Sequence, residues 1–355
     1  MGSVRRFAAV NTKIRAIEGQ LLQDHDYEHL LSCKTVEDMI HYLRQETGYR
    51  RLLNQVKGAS IELDALESLF KKELYRELQS FVHYFTDQYR KLFRILFMRY
   101  EVEDIKVMLR AIIRQEHLAD LEAHMIILGV SKNLDYERLF QSRTLEDFID
   151  NLEGTPYQKT LAYYMDEDPT KRLFYMEMNL DRLYFKHLSD QAKKLDPRDG
   201  APLIEVLGKN TDILNLQWIY RGLKSYRLSP EELLNYTLNH GYYLKYKHLK
   251  NLCYSQSMDE LSEKIKQTKY AFLLQGERVD RFMEIRMERY VYAAFQKKRK
   301  EEPMSIAEVL VFMHRLEYEI RDLFTLFEAK RYNLDKEGGR RYLVRMGKGG
   351  SPHGS

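Results

Sequence analysis

Two adjacent acid pairs, Glu103-Asp104 and Glu146-Asp147, are the residues of this 355-residue chain best placed to hold a metal or exchange a proton. Paired carboxylates can chelate a divalent cation or share one proton. Three other features invite a chemical reading. Gly208-Lys209, within VLGKNTD (206–212), resembles the end of a phosphate-binding loop. His117 and His124 lie seven residues apart, and Cys33 and Cys253 are the only thiols. None completes a set. No glycine precedes Gly208 at the phosphate-loop spacing, and no strand pattern leads into it. No third ligand accompanies the histidines. No serine or cysteine sits in a nucleophile elbow or a comparable signature. Two isolated cysteines form no disulfide framework and suit a reducing compartment. The acid pairs recur at apparent helix starts, which favours capping over metal or acid–base work. No catalytic, cofactor-binding or metal-binding residue is therefore assigned, and no cofactor is expected.

The elements that position these acids are written three times. A first box, hydroxyl–apolar–acid–acid–apolar, begins at Thr35 (TVEDM), Thr144 (TLEDF) and Ser257 (SMDEL), so nearly equal intervals separate successive copies. A tyrosine follows each start at almost the same distance, at Tyr49, Tyr157 and Tyr270. Upstream, Tyr27-x-x-Leu30, Tyr136-x-x-Leu139 and Tyr246-x-x-Leu249 echo one another, with three extra residues before the third box. The first box has the form of a capping box. The hydroxyls of Thr35, Thr144 and Ser257 should accept from the amides of Asp38, Asp147 and Glu260, while those acids reach back to the cap. The acids also meet the positive end of the helix dipole.

A second box repeats as well. YEVEDIKVMLRAIIR (100–114) matches YEIRDLFTLFEAKRY (318–332), whereas the middle copy, NTDILNLQWIYRGL (210–223), keeps little beyond Asp-Ile. Aligned on Asp104, Asp212 and Asp322, its copies keep nearly the interval of the first box. Two independent markers thus share one period and one order, the signature of an internal repeat. The expected organisation is three helical modules, 1–125, 126–235 and 236–345, followed by a disordered tail at 346–355.

Between the boxes the pattern is helical. No glycine or proline occurs from Ala59 to Leu128, and Leu66, Phe70, Leu74, Leu78, Phe81, Phe85, Tyr89, Leu92 and Leu96 recur mostly at three or four residues. Similar stripes cover Met176–Leu188 and Arg281–Phe295. Pro169, Pro197, Pro202, Pro230 and Pro303 mark expected helix starts or breaks. With only 7 prolines and 17 glycines, and no alternating strands, the expected class is all-α. No apolar run approaches the ~20 residues that span a bilayer, and the N-terminus lacks a signal-peptide pattern, so a soluble chain is expected. A net charge of +4 argues against nucleic acid as a partner. Lys330, Arg331, Lys336, Arg340, Arg341, Arg345 and Lys348 face only Asp335 and Glu337 over 330–348, which reads as a solvated helix end or a contact for an acidic partner or lipid.

YEHLLSCKTVEDMIHYLRQETGY near the N-terminus, YEVEDIKVMLRAIIR at the second box, and the threefold period resemble the C subunit of the bacterial and archaeal V-type (A/V-type) ATPases, the counterpart of the eukaryotic V-ATPase d subunit. The resemblance spans roughly residues 5–345. It implies three modules around a pseudo-threefold axis, forming a funnel without a reaction of its own. It further implies a rotor connector that docks the central shaft (D- and F-type subunits) onto the membrane rotor ring. Such a connector transmits torque for ATP-driven ion transport or ATP synthesis. It would be peripheral on the cytoplasmic side, touching the membrane only through the complex. The weak middle second box implies approximate symmetry. Two alternatives are a helical-repeat scaffold outside any rotary motor and an all-helical enzyme.

Overall fold

The computed structural model describes residues 2–55, 62–126, 133–276 and 278–345, excluding the side chains of 2–5, 123 and 124. The expected tail, 346–355, lies outside the described residues. Among the described residues every regular element is a helix. One order of elements recurs three times. A short helix (Asp24–Ser32, Tyr136–Phe140, Tyr246–Cys253) is followed by the first-box helix (Val36–Glu46, Leu145–Asp150, Met258–Lys266). Two long helices complete each repeat: Leu63–Ser80 with Asp87–Ile113, Pro169–Ala192 with Pro197–Ser225, and Val279–Glu301 with Ile306–Arg331. The last helix of each set carries the second box.

The chain divides into two compact units, one of residues 1–63 with 266–355 and one of 64–265. In the first, helix Ile306–Arg331 packs against Val279–Glu301, the N-terminal helix Gly2–Glu18 and Val36–Glu46. Tyr292 meets Tyr318 edge-on at 5.5 Å, and Ile285, Tyr318 and Val344 are buried together. In the second, helix Asp87–Ile113 lies along Pro169–Ala192. That seam carries the ion pairs Lys106–Asp181 (2.5 Å) and Arg110–Glu177 (2.6 Å) beside a buried apolar stripe that includes Met176, Leu180 and Leu188.

Local chemistry explains where helices start and where they stop. Pro169, Pro197 and Pro230 occupy the first helical turn behind Asp168, Asp196 and Ser229, each of which accepts from a first-turn amide. Pro303 lies in the break between Glu301 and Ile306. Pro202 neither begins nor ends a helix. It lies inside Pro197–Ser225, close enough to the start that its missing N–H forfeits a single intrahelical bond. The apolar stripe that reads continuously through Phe81, Phe85 and Tyr89 crosses a real break. A 3-10 turn, Phe81–Tyr84, ends one helix and extended Thr86 starts the next. The Phe85 ring stacks on Phe93 at 4.3 Å, and its carbonyl accepts from Arg90 Nε at 2.7 Å, so packing holds the corner without glycine or proline.

Ser229 and Glu232 form a further capping box, outside the repeat register. Burial raises the Glu232 carboxyl, but donation from the Ser229 N–H, the Tyr175 hydroxyl and Lys171 outweighs it and holds the group at about 2. A carboxyl depressed in the folded state stabilises above its unfolded value and loses that contribution as pH falls through the folded one. The unfolding free energy of Glu232→Gln should therefore lie about 1–2 kcal/mol below wild type at pH 6, a figure discounted for partial exposure. The gap should narrow from about pH 4.5 toward pH 2. Urea titrations at several pH values check this, and a gap independent of pH contradicts it.

Candidate functional site

The second-box aspartates occupy the most demanding positions in the molecule. Asp104, Asp212 and Asp322 each project from the middle of a long helix and are fully buried. A buried carboxylate is costly unless its oxygens are supplied with donors. Each of the three receives a hydrogen bond on both oxygens. Asp104 accepts from the Ile126 N–H at 2.8 Å and from the Tyr136 hydroxyl. Asp212 accepts from the N–H groups of Tyr243 (2.6 Å) and Leu244 (3.1 Å). Asp322 accepts from those of Val344 (2.7 Å) and Arg345 (2.9 Å). Every one of these donors lies downstream, beyond the end of the helix that bears its acceptor, so each aspartate clamps the segment that follows its own helix.

One turn earlier, Glu101 and Glu319 extend this clamp. Glu101 accepts from the Tyr157 hydroxyl and from Asn133 Nδ2. Glu319 accepts from the Tyr49 hydroxyl at 2.8 Å and from the Leu22 N–H at 3.1 Å, and it pairs with Arg345. Arg345 also donates to the Leu22 carbonyl at 3.1 Å, and its guanidinium lies over the Tyr27 ring at 5.2 Å. The third second box thus grips the first repeat's opening segment, sequence separation notwithstanding. Burial pushes Glu319 up against the opposing pull of Arg345 and its other donors. Burial likewise raises Asp322, to about 6. Burial works against charge on Arg345 too, yet Tyr27 and Glu319 hold it above its ordinary value, so it remains a cation.

The acid pairs resolve differently from one another. Asp147 does cap a helix start, with Thr144 Oγ1 accepting from its amide at 3.1 Å and Asp147 accepting the Thr144 N–H at 3.3 Å. Thr35 and Asp38 make the same two bonds, both at 3.1 Å. Ser257 Oγ accepts from the Glu260 amide at 3.1 Å, whereas the longer Glu260 side chain reaches one residue further back, to the Gln256 N–H at 2.8 Å. Glu103-Asp104, by contrast, is no helix start: the pair lies mid-helix, where Asp104 is buried and Glu103 meets Lys106 at 3.3 Å. Its capping is of the next segment's backbone, a role invisible to a local pattern.

The remaining candidates do not converge. Gly208-Lys209 lies within helix Pro197–Ser225. His117 precedes a 3-10 helix, Leu118–His124, rather than an α-helix, so the seven-residue spacing does not align the two histidines on one α-helical face. Burial pushes the Cys253 thiol up to about 12, and the Cys33 thiol also upward. No metal-ligating group of three or more His, Cys, Asp or Glu occurs among the described residues. An open groove is lined by His29, Cys33, Asp38, His41 and Tyr42, among others, with His29 and Tyr42 stacked at 3.9 Å. Several cations of the basic C-terminal stretch are paired with the short helix Asp24–Ser32. Lys336 and Arg340 pair with Glu28 at 2.9 and 2.5 Å, and Lys330 donates to the Leu31 carbonyl at 3.3 Å. Lys348 lies outside the described residues. No helix among those described is long and apolar enough to cross a membrane.

Equivalent elements in the same order, clamped by equivalent buried aspartates, define an all-α helical-repeat protein. The chain belongs to the family of ATP synthase (C/AC39) subunits, which it matches over residues 10–342. It is similar to the C subunit of the A-type ATP synthase of Methanocaldococcus jannaschii, 23% identical over 350 residues, covering 96% of this chain and 86% of that protein. The C subunit of the Thermococcus kodakarensis A-type ATP synthase is 24% identical over 336 residues, with 92% and 87% covered. That of Methanosphaera stadtmanae is 22% identical over 332 residues, with 90% and 83% covered.

The clamps make a graded prediction. At Asp212 and Asp322, substitution by Asn turns one amide group toward a backbone N–H, donor against donor, and should cost about 2–3 kcal/mol of unfolding free energy. At Asp104 the Tyr136 hydroxyl can rotate to accept from the new amide, so Asp104→Asn should cost about 1 kcal/mol. Urea unfolding of the three variants checks the order. Equal losses at all three positions would contradict it.

Proposed function

We propose that this chain is the non-catalytic rotor connector of an A/V-type ATP synthase, seating the D- and F-type shaft subunits on the membrane rotor ring. On this reading three modules, 1–125, 126–235 and 236–345, surround a central opening in a funnel-like arrangement. The chain transmits torque between shaft and ring, for ion transport driven by ATP or for ATP synthesis driven by ions. It works on the cytoplasmic side and meets the membrane only through the complex.

The observation that carries this reading is the buried knot of Glu319, Asp322 and Arg345 on Leu22, Tyr27 and Tyr49. An adaptor loaded in torsion fails first at a seam between chain segments. Here the segment near the N-terminus is tied to the last repeat by buried, charge-assisted bonds, which are the stronger kind. The titratable groups of the clamps are saturated by structural donors, which suits a part that transmits force. Membership of the ATP synthase subunit family supplies the motor.

Assembly tests the proposal. Purified shaft subunits and rotor ring should associate stably only when this chain is present, and the chain should bind each of them alone. Shaft and ring that assemble equally well without it would refute the connector role. Arg345→Ala, which leaves Glu319 buried without its cation, should lower the chain's thermal midpoint and weaken assembly together; breaking such a pair costs about 3–5 kcal/mol.

A further inference from the structure

The middle repeat departs from the other two at the helical position where they carry a clamp glutamate. Where Glu101 and Glu319 receive a tyrosine, the equivalent residue is Lys209, paired with Glu205 at 2.6 Å and lying over the Tyr242 ring at 5.0 Å. Both oxygens of Asp212 accept from backbone N–H groups, as those of Asp322 do. Tyr246 stands 63% exposed, although its counterparts Tyr27 and Tyr136 are buried. The run from Leu233 to Met258 contains no aspartate or glutamate, yet carries Lys245, Lys247, Lys250, His240, His248 and five tyrosines. Of these, Tyr242, Tyr243, Lys245, Tyr246, Lys247 and Lys250 are all exposed.

The patch is fixed rather than loose. The Tyr242 N–H donates to the Gly208 carbonyl at 3.1 Å, and a Cβ on Gly208 would lie 3.2 Å from Tyr242. A Cβ on Gly241 would fall 2.0 Å from Asp212 Oδ1, so only glycine lets the loop press onto the clamp. The acids nearby are engaged: Glu205 with Lys209, and Glu231 with the Tyr254 hydroxyl at 2.8 Å. A preset surface of tyrosine and lysine, built on a run without acids, presents the residue type enriched at protein interfaces alongside positive charge. Exposed aliphatic side chains, which would insert into a bilayer, are absent from the described residues of this run.

We propose that the Tyr242–Lys250 surface docks an acidic protein segment, its lysines meeting carboxylates and Tyr246 and Tyr243 packing beside them. This rests on the connector reading, in which the shaft or the ring supplies that segment. The probes are purified shaft subunits, purified rotor ring, and vesicles of neutral lipid with and without anionic phospholipid. They are applied to the full chain and to the triple variant Tyr246→Ser, Lys247→Glu, Lys250→Glu. All three side chains are exposed, so the variant should keep the wild-type circular dichroism and melting temperature. Its affinity for one of the two protein probes should drop about tenfold or more, and the salt dependence of that binding should flatten. In the assembled complex, Lys247 and Lys250 of wild type should resist acetylation that modifies them in the free chain. Wild-type affinity and salt dependence in the variant would overturn the surface while leaving the connector reading intact. Wild-type binding to anionic vesicles, lost in the variant, with protein affinities unchanged, would assign the patch to lipid and likewise overturn it. A wild-type chain that binds neither shaft nor ring would overturn both.

Discussion

A carboxylate buried in a helix-packed core must find a donor for each oxygen, and much of this structure is arranged around meeting that demand three times. Asp104, Asp212 and Asp322 could not sit where they do unless a later stretch of chain delivered donors to them. That requirement ties each second-box helix to the chain that follows it. It also places the constraint on backbone N–H groups at two of the three sites, so the identity of the delivered side chains is left open while their path is not. Helix capping, by comparison, sets only where a helix begins.

The glutamates one turn earlier show how the same design can be relaxed. Glu101 and Glu319 add a tyrosine hydroxyl to the clamp, and Glu319 recruits Arg345 as well. Burial raises both Glu319 and Asp322, and Arg345 opposes it together with their other donors and the neighbouring arginines. In the middle repeat the equivalent position is Lys209, and the second layer comes instead from buried Asn215, one turn later, which exchanges two hydrogen bonds with the Leu238 backbone. At Asp212 itself two N–H groups donate, and a glycine lets the backbone approach. Tyr246 stands exposed here, whereas Tyr270, the counterpart of Tyr49 and Tyr157, is buried.

The sequence made the architecture legible because its signals are local or periodic. Hydroxyl–x–x–acid marks a helix start through bonds spanning three residues, and apolar spacing marks a buried face, so Thr35, Thr144 and the long helices are readable from the chain. The clamps were half visible. Asp104, Asp212 and Asp322 stood out as a period, and Tyr49 and Tyr157 as another, but nothing local says that a tyrosine of one repeat donates to a glutamate of a different one. Their common trace is an acid inside an otherwise apolar stripe, as in Val102-Glu103-Asp104-Ile105, where burial demands a distant donor. Treating Glu103-Asp104 as a helix start failed for that reason. The corner at Phe85 was also hidden, because packing and an arginine–carbonyl bond make it, not a helix-breaking residue.

Buried acids beside tyrosines and an arginine are also the raw material of an active site, and the distinction lies in saturation. A group that moves protons or holds a substrate needs a face left unsatisfied until the ligand arrives, and a path by which the ligand reaches it. Glu319 has the N–H of Leu22, the hydroxyl of Tyr49 and the guanidinium of Arg345 on its two oxygens, and Asp322 has two backbone donors. Their raised affinity for protons follows from burial, against the pull of their donors. The same saturation suits them to hold chain segments together. Pulling the N-terminal segment from the last repeat would strand a charge in the core on one side and orphan a backbone N–H on the other, so the seam resists opening from both directions.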